Sequence, residues 1–306
     1  MPDRVYNFAA GPAQLPEAVL KKAQAELLNW HGCGMSVMEM SHRGSQFKEI
    51  YLDARERFKR LLGVPETHDV LFLQGGATTQ FAAIPMNLIG KAGASYAITG
   101  NFSGIAAKEA EKYGRVSVAW DGTEENFTPR QEELNIEPGV SYFHYCANNT
   151  IYGTAWDYVP ETGGAPLVCD MSSEIMSRPV DVAPYALIYA GAQKNIAPAG
   201  LTVVIVDRFY AGHERPDTPQ IMSYQKQINK DSMLNTPPCW CIYMLGLVLE
   251  WVEAEGGVAA MDACRRERSR LVYEVLDNSR LYKAHAEPGS RSCMNVTFRT
   301  GSEELD

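Results

Sequence analysis

Two apolar runs joined by a lysine-bearing turn constrain this chain more than any other stretch. Residues 186–190 (ALIYA) hold no polar group except the Tyr189 hydroxyl, and residues 201–206 (LTVVIV) are apolar but for one threonine. Runs of this length and character read as fully buried strands. Between them, Gly191 and Ala192 remove side-chain bulk just where the first strand should end, so a flat ligand can approach the backbone. Gln193, Lys194 and Asn195 follow. A lysine held between two apolar strands is costly unless its charge is lowered or its amine is used covalently. Lys194 is therefore a candidate Schiff-base lysine, whose amine must be partly desolvated to be nucleophilic near neutral pH. The competing reading is a solvated lysine on a strand-to-strand turn.

Upstream, Leu167–Asp170 (LVCD) is a second kind of signal: an apolar strand that ends in a carboxylate. An aspartate at the end of one buried strand and a lysine at the end of the next meet the needs of pyridoxal phosphate. The carboxylate keeps the pyridine nitrogen protonated, so that the ring acts as an electron sink, and the lysine takes the aldehyde. Asp170 alone reads equally as a helix N-cap or turn residue. The pair in this order is much more specific than either member.

The remaining chain alternates helix and strand. Helical patterns cover residues 16–30, Ser45–Leu62, about 77–89, 103–113, 238–255 and 258–278, with Gly63 stopping the second and Gly256-Gly257 separating the last two. Strand patterns cover 70–73, 96–99, 116–120, 140–146 and the three segments above, and residues 294–298 look like one further strand. Such alternation predicts an α/β fold with a mainly parallel sheet between helices and with sites at the carboxyl ends of strands. We expect a large unit over 16–257 and a smaller one from 1–15 and 258–306. Gly75-Gly76 follows a strand and opens a helix, so the amides of Ala77 and Thr78 are placed to cradle a phosphate. It is neither a Walker nor a G-x-G-x-x-G motif, which disfavours a nucleotide site, and a glycine pair by itself also reads as a plain turn.

Composition excludes some classes. A net charge of −9 without a basic cluster argues against nucleic acid or an anionic membrane as the main partner. An anionic substrate must then be met by locally placed Arg, His or backbone amides. Residues 1–8 show no apolar signal core, and no run reaches the length of a membrane span. The 7 cysteines are odd in number and scattered, without metal-ligand spacing, so reduced thiols, a cytoplasmic setting and no metal are expected.

The motifs NFAAGPAQLP, SVMEMSHRGS, LQGGATTQFAAIPMNLIG, HYCANNTIYG, VCDMSSEIMSRPVDV, YAGAQKN and LNTPP resemble the phosphoserine aminotransferases, a family of fold-type I pyridoxal phosphate enzymes. The likeness runs from Tyr6 to residues 290–298. It implies transfer of an amino group between glutamate and 3-phosphohydroxypyruvate, with Lys194 as Schiff-base residue and proton shuttle and Asp170 at the ring nitrogen. It further implies that Ala77, Thr78 and Gln193 bind the cofactor phosphate, that Phe102 stacks on the ring where relatives usually carry Trp, and that Thr150 bonds the ring hydroxyl. Asn235 and Thr236 should reach the phosphate of a neighbouring subunit's cofactor, which makes a homodimer part of the site. His42 and Arg43 are implied in holding the acidic groups of a small anionic substrate. The basic residues that relatives carry after the equivalent of Asp306 are absent from this sequence, so residues 1–306 are expected to bind cofactor yet transaminate little. Other readings kept open are a serine:glyoxylate-type transaminase, a cysteine desulfurase, and a cofactor-binding but inactive protein. Whether 4-phosphohydroxythreonine is a second substrate is not readable here.

Overall fold

A computed structural model describes residues 4–123 and 125–305 of the chain. Seven strands form its central sheet: β1 (His68–Leu73), β2 (Ala94–Ile98), β3 (Val116–Asp121), β4 (Tyr142–Cys146), β5 (Leu167–Asp170), β6 (Tyr185–Gly191) and β7 (Thr202–Asp207). Their spatial order is β1-β7-β6-β5-β4-β2-β3. The pairs from β3 through β6 are parallel, and β7 alone in this sheet is reversed, pairing antiparallel with β6 and β1. The reason is the connection. The other parallel neighbours need long crossovers, whereas the short segment carrying Lys194 can only fold back beside the strand it leaves.

Every residue of β4, β5 and β6 is buried. Helices α1 (Glu17–Glu26), α2 (Ser45–Leu62), α3 (Gly76–Leu88), α4 (Asn101–Ala110), α5 (Tyr224–Ile228), α6 (Cys239–Ala254) and α7 (Gly257–Asp277) cover the two faces. Side chains alternate along each strand. Ile188, Ala190, Val203 and Ile205 pack toward Phe47, Phe58, Leu245 and Leu249 of α2 and α6. Leu187, Tyr189, Val204 and Val206 pack toward Phe81 and Ile84 of α3, Ala107 of α4 and Tyr224 of α5. Burial on both sides explains why these strands read as apolar runs rather than alternating ones.

Most expected elements are present to within a few residues, and α2 has the expected bounds, closed by Gly63 at φ 66. Two differ. The first helix ends at Glu26 rather than near residue 30, because Asn29 Oδ1 accepts the Gly34 amide (2.6 Å) and a short 3₁₀ turn, Trp30–Gly32, replaces the last helical turn. The strand expected over 294–298 is reduced to β9 (Phe298–Arg299), paired with β8 (Lys283–Ala284). Ser292 Oγ instead takes the amides of Met294 and Asn295, at 3.0 and 2.9 Å, and ties that segment into a local loop. Among the described residues no helix is long and apolar enough to cross a membrane.

Candidate active site

The carboxyl ends of β4, β5 and β6 lie side by side because the three strands are parallel, with Cys146 opposite Asp170 and Asp170 opposite Tyr189. Asp170 closes β5, Lys194 follows β6, and the loop after β4 carries Thr150. At this same edge α3 and α4 begin. A cavity of about 140 Å³ results, and Ala77, Thr78, Phe102, Thr150, Asp170, Gln193 and Lys194 all line it.

Lys194 Nζ donates to Thr150 Oγ1 at 2.6 Å and stands 5.1 Å from the centre of the Phe102 ring. Burial holds its ammonium below the ordinary lysine range, and the Asp170 and Cys146 side chains oppose that shift. Asp170 is 8 % exposed. Burial raises its carboxyl above the usual range, while Ser172, the Lys194 charge and the Tyr189 hydroxyl favour the ionised form. The Ser172 amide donates to Asp170 Oδ1 at 2.8 Å, and Ser172 Oγ in turn accepts the Gly191 amide at 3.0 Å, which locks the ends of β5 and β6 together. An amine and a carboxylate, each disfavoured as an ion by burial and each favouring the other's charge, are a reactive pair rather than a surface ion pair.

The third component is the start of α3. Gly75 has φ 94, and a Cβ there would fall 2.0 Å from Thr79 Oγ1, so only glycine fits this turn. Thr79 makes the first backbone bond of the helix, to Gly75 O at 3.3 Å. The amides of Gly76, Ala77 and Thr78 precede it and have no intrahelical acceptor. All three residues face the cavity, so unpaired donors and the positive end of a helix meet there.

Gln193 lies beside Lys194, and its backbone carbonyl accepts the Ala13 amide at 2.9 Å. Four sequence candidates lie outside the cavity. Asn235 and Thr236 are exposed and are held to Gln74, with Asn235 Nδ2 donating to Gln74 Oε1 at 2.9 Å and Gln74 Nε2 donating to Thr236 O at 3.2 Å. His42 is half-buried and Arg43 exposed, in the loop before α2, with the Arg43 amide donating to Ser41 Oγ at 3.3 Å. Several residues that line or shape the site were not singled out in the sequence. Ser172 has the role just given, and Asn149 Nδ2 donates to Thr99 O at 2.6 Å, pinning the loop that presents Thr150. The signal was available in Asn148-Asn149 and Ser172-Ser173, polar pairs directly after apolar strands.

These groups suit pyridoxal phosphate. The amine can take an aldehyde, the carboxylate can face a ring nitrogen, an aromatic plane covers one side, and helix-end amides await a phosphate.

Comparison with known proteins agrees. The family model for aminotransferase class-V matches residues 5–306. The chain is 49% identical over 311 residues to the phosphoserine aminotransferase of Pseudomonas fluorescens (strain SBW25), covering 100% of this chain and 86% of that protein. A solved phosphoserine aminotransferase from Bacillus circulans subsp. alkalophilus superposes with a TM-score of 0.95 at 43% identity, covering 99% of this chain and 85% of that one. The PLP-bound phosphoserine aminotransferase from Trichomonas vaginalis gives a TM-score of 0.95 at 38% identity, with 99% and 87% covered.

Proposed function

The chain belongs to the aminotransferase class-V family and, within it, to the phosphoserine aminotransferases, and from that premise we propose how its own residues carry out the reaction. It is a fold-type I, pyridoxal phosphate-dependent transaminase of serine biosynthesis, moving an amino group between O-phospho-L-serine and 2-oxoglutarate in either direction. The observation that carries the residue assignment is Lys194: its Nζ lies in one cavity with Asp170, between the Thr150 hydroxyl and the Phe102 ring.

When bound, the cofactor supplies an aldehyde for the Lys194 amine and a ring that accepts the electron pair left by the departing α-proton. Lys194 Nζ would then serve as general base and acid, taking the proton from the substrate Cα and returning a proton in the later step. Thr150 Oγ1 orients Nζ for this work. Asp170 would meet the ring nitrogen of the bound cofactor and keep it protonated, which Ser172 supports by holding one carboxylate oxygen. The first-turn amides of α3, with Gln193, would hold the cofactor phosphate, and Phe102 would cover the ring and exclude water. His42 and Arg43 are assigned to the substrate's acidic groups. The large unit is placed at 16–257, with 1–15 and 258–306 in the smaller one. A cytoplasmic setting is supported by 7 cysteines that are all free thiols.

The direct test is a coupled assay of the cofactor-loaded protein with O-phospho-L-serine and 2-oxoglutarate, alongside L-serine with glyoxylate. The ratio of phosphoserine to serine turnover is expected to lie well above one, whatever the absolute rate. Turnover of serine with glyoxylate alone would move the enzyme to the other transaminase reading.

Asn235 and Thr236 are assigned to the cofactor phosphate of a second subunit, since they are exposed and stand outside their own chain's cavity. Pro237 and Pro238 stiffen the segment that presents them. Mixing Lys194→Ala subunits with Thr236-substituted subunits should therefore regenerate one site per heterodimer free of both lesions. Activity that stays absent, in a mixture shown to have exchanged subunits, would mean that each site is built within one chain.

A further inference from the structure

Beside Asp170, on the face of the sheet covered by α3 and α4, lies a polar chain that the reaction above does not use. Asp170 and Tyr189 are register partners on β5 and β6, and Tyr96 and His144 are register partners on β2 and β4. All four project toward α3 and α4. Tyr189 is 0 % exposed and His144 1 %. The Tyr189 hydroxyl lies 2.9 Å from His144 Nε2, its one hydrogen-bond partner among the described residues, and Tyr189 stands beside Asp170 as its register partner on the same face of the sheet. The imidazole stacks on the Tyr96 ring, with centres 4.7 Å apart, and its Nδ1 has no hydrogen-bond partner among the described residues.

Three buried polar groups in a row allow two arrangements. In one, His144 carries its proton on Nε2 and donates to Tyr189, whose own proton is then free to point at Asp170. In the other, His144 is protonated on Nδ1, and Tyr189 donates to Nε2 and has nothing left for the carboxylate. The second arrangement leaves the Nδ1–H with at best His144's own main chain as acceptor, in a geometry too poor for a hydrogen bond, which costs more than an unused lone pair on Nδ1. Burial pushes the imidazole down to about 3, so it stays neutral and holds a single ring proton.

We propose that His144 and Tyr189 are positioning residues for Asp170, with His144 Nε2–H donating to Tyr189 and the Tyr189 hydroxyl donating to the Asp170 carboxylate. The chain completes the donor set of a carboxylate whose front side must stay open to the ring nitrogen. Tyr189 acts directly on Asp170, and His144 acts by fixing which way the phenol points. The other groups facing this chain are Tyr96 from β2, Cys146 from β4, Cys169 from β5 and Lys194 from the turn after β6, while α3 and α4 present Phe81 and Ser103. None of these is hydrogen-bonded to the Tyr189 hydroxyl, whose partner is His144 Nε2. The inference deepens the role given to Asp170 in the proposed reaction, and it is therefore tested first on the free protein.

The first measurement is the ¹⁵N spectrum of the histidine-labelled full chain without cofactor, with the His144 signal identified by its loss in His144→Gln. The proton is expected on Nε2, and finding it on Nδ1 overturns the proposal whatever the enzyme's activity. The second follows the protonated-carboxyl infrared band, assigned to Asp170 by its loss in Asp170→Asn. In Tyr189→Phe its midpoint should rise by about one pH unit, as expected for a carboxylate that loses a hydrogen bond to its charged form. An unchanged midpoint in the folded variant overturns the proposal. In the cofactor-loaded enzyme, kcat of Tyr189→Phe should fall roughly tenfold, the effect of one hydrogen bond to a charged group, with KM less affected. His144→Gln, which keeps a donor, should retain more activity than His144→Leu, and equal loss in both would overturn the role of His144.

Discussion

Lys194→Ala is expected to fold, to bind pyridoxal phosphate without a covalent link, and to lose turnover on the order of 10⁴-fold or more, as when a nucleophile that also moves the proton is removed. Folding should survive because the turn is held by other contacts. The Ala13 amide bonds the Gln193 carbonyl, Ala192 and Leu201 pair across the base of the turn, and Ile196 is 1 % exposed. The ammonium itself contributes its bond to Thr150, its place over the Phe102 ring and its charge opposite Asp170. Noncovalent binding should persist because the phosphate is assigned to amides of α3, on a different element. The measurement is borohydride reduction followed by peptide mapping. The wild-type chain should carry the reduced cofactor on Lys194, and the variant should carry none. Cofactor found on another lysine would remove the centre of the mechanism.

Asp170→Asn should lower turnover by about a hundredfold or more, the scale seen when one preorganised electrostatic group is removed. The change conserves shape, and the Ser172 amide can still donate to the oxygen that remains. What goes is the negative charge that keeps the ring nitrogen protonated, so kcat should suffer far more than cofactor occupancy. A second consequence concerns pH. Asp170 is the leading contribution that raises the Lys194 ammonium, against the larger lowering by burial. Without that anion the neutral amine should form at lower pH, so the profile for covalent capture of cofactor should move toward acid. Near-normal turnover, or a profile moved toward alkali, would place the ring-nitrogen partner elsewhere.

Both predictions rest on residues that are legible in the sequence, and the reason is local. A lysine between two apolar runs, and a carboxylate ending a third, violate the pattern around them, and such violations gather at functional sites. Strands β5, β6 and β7 were readable because they are buried on both faces, and α2 because an amphipathic stripe ends at a glycine in the left-handed conformation. The segment over 294–298 misled for the opposite reason. Its apolar residues resemble a strand, but the Ser292 hydroxyl captures its amides locally, and composition does not register that competition.

The chain order of strands and helices, the Asp170–Lys194 pair and the glycine-opened helix are properties of the sequence alone, because each depends on residues near one another along the chain. What tertiary structure alone decided is which of those residues share a space. It brought Ala77, Phe102, Thr150, Asp170 and Lys194 from five separate segments to one sheet edge, and it left His42, Arg43, Asn235 and Thr236 outside that cavity. It also set Tyr189 against His144, residues on strands that are not neighbours in the sheet. Strand order and register arise from packing two helical layers onto one sheet. That packing sums many weak contacts between residues far apart in sequence, so no local pattern records it.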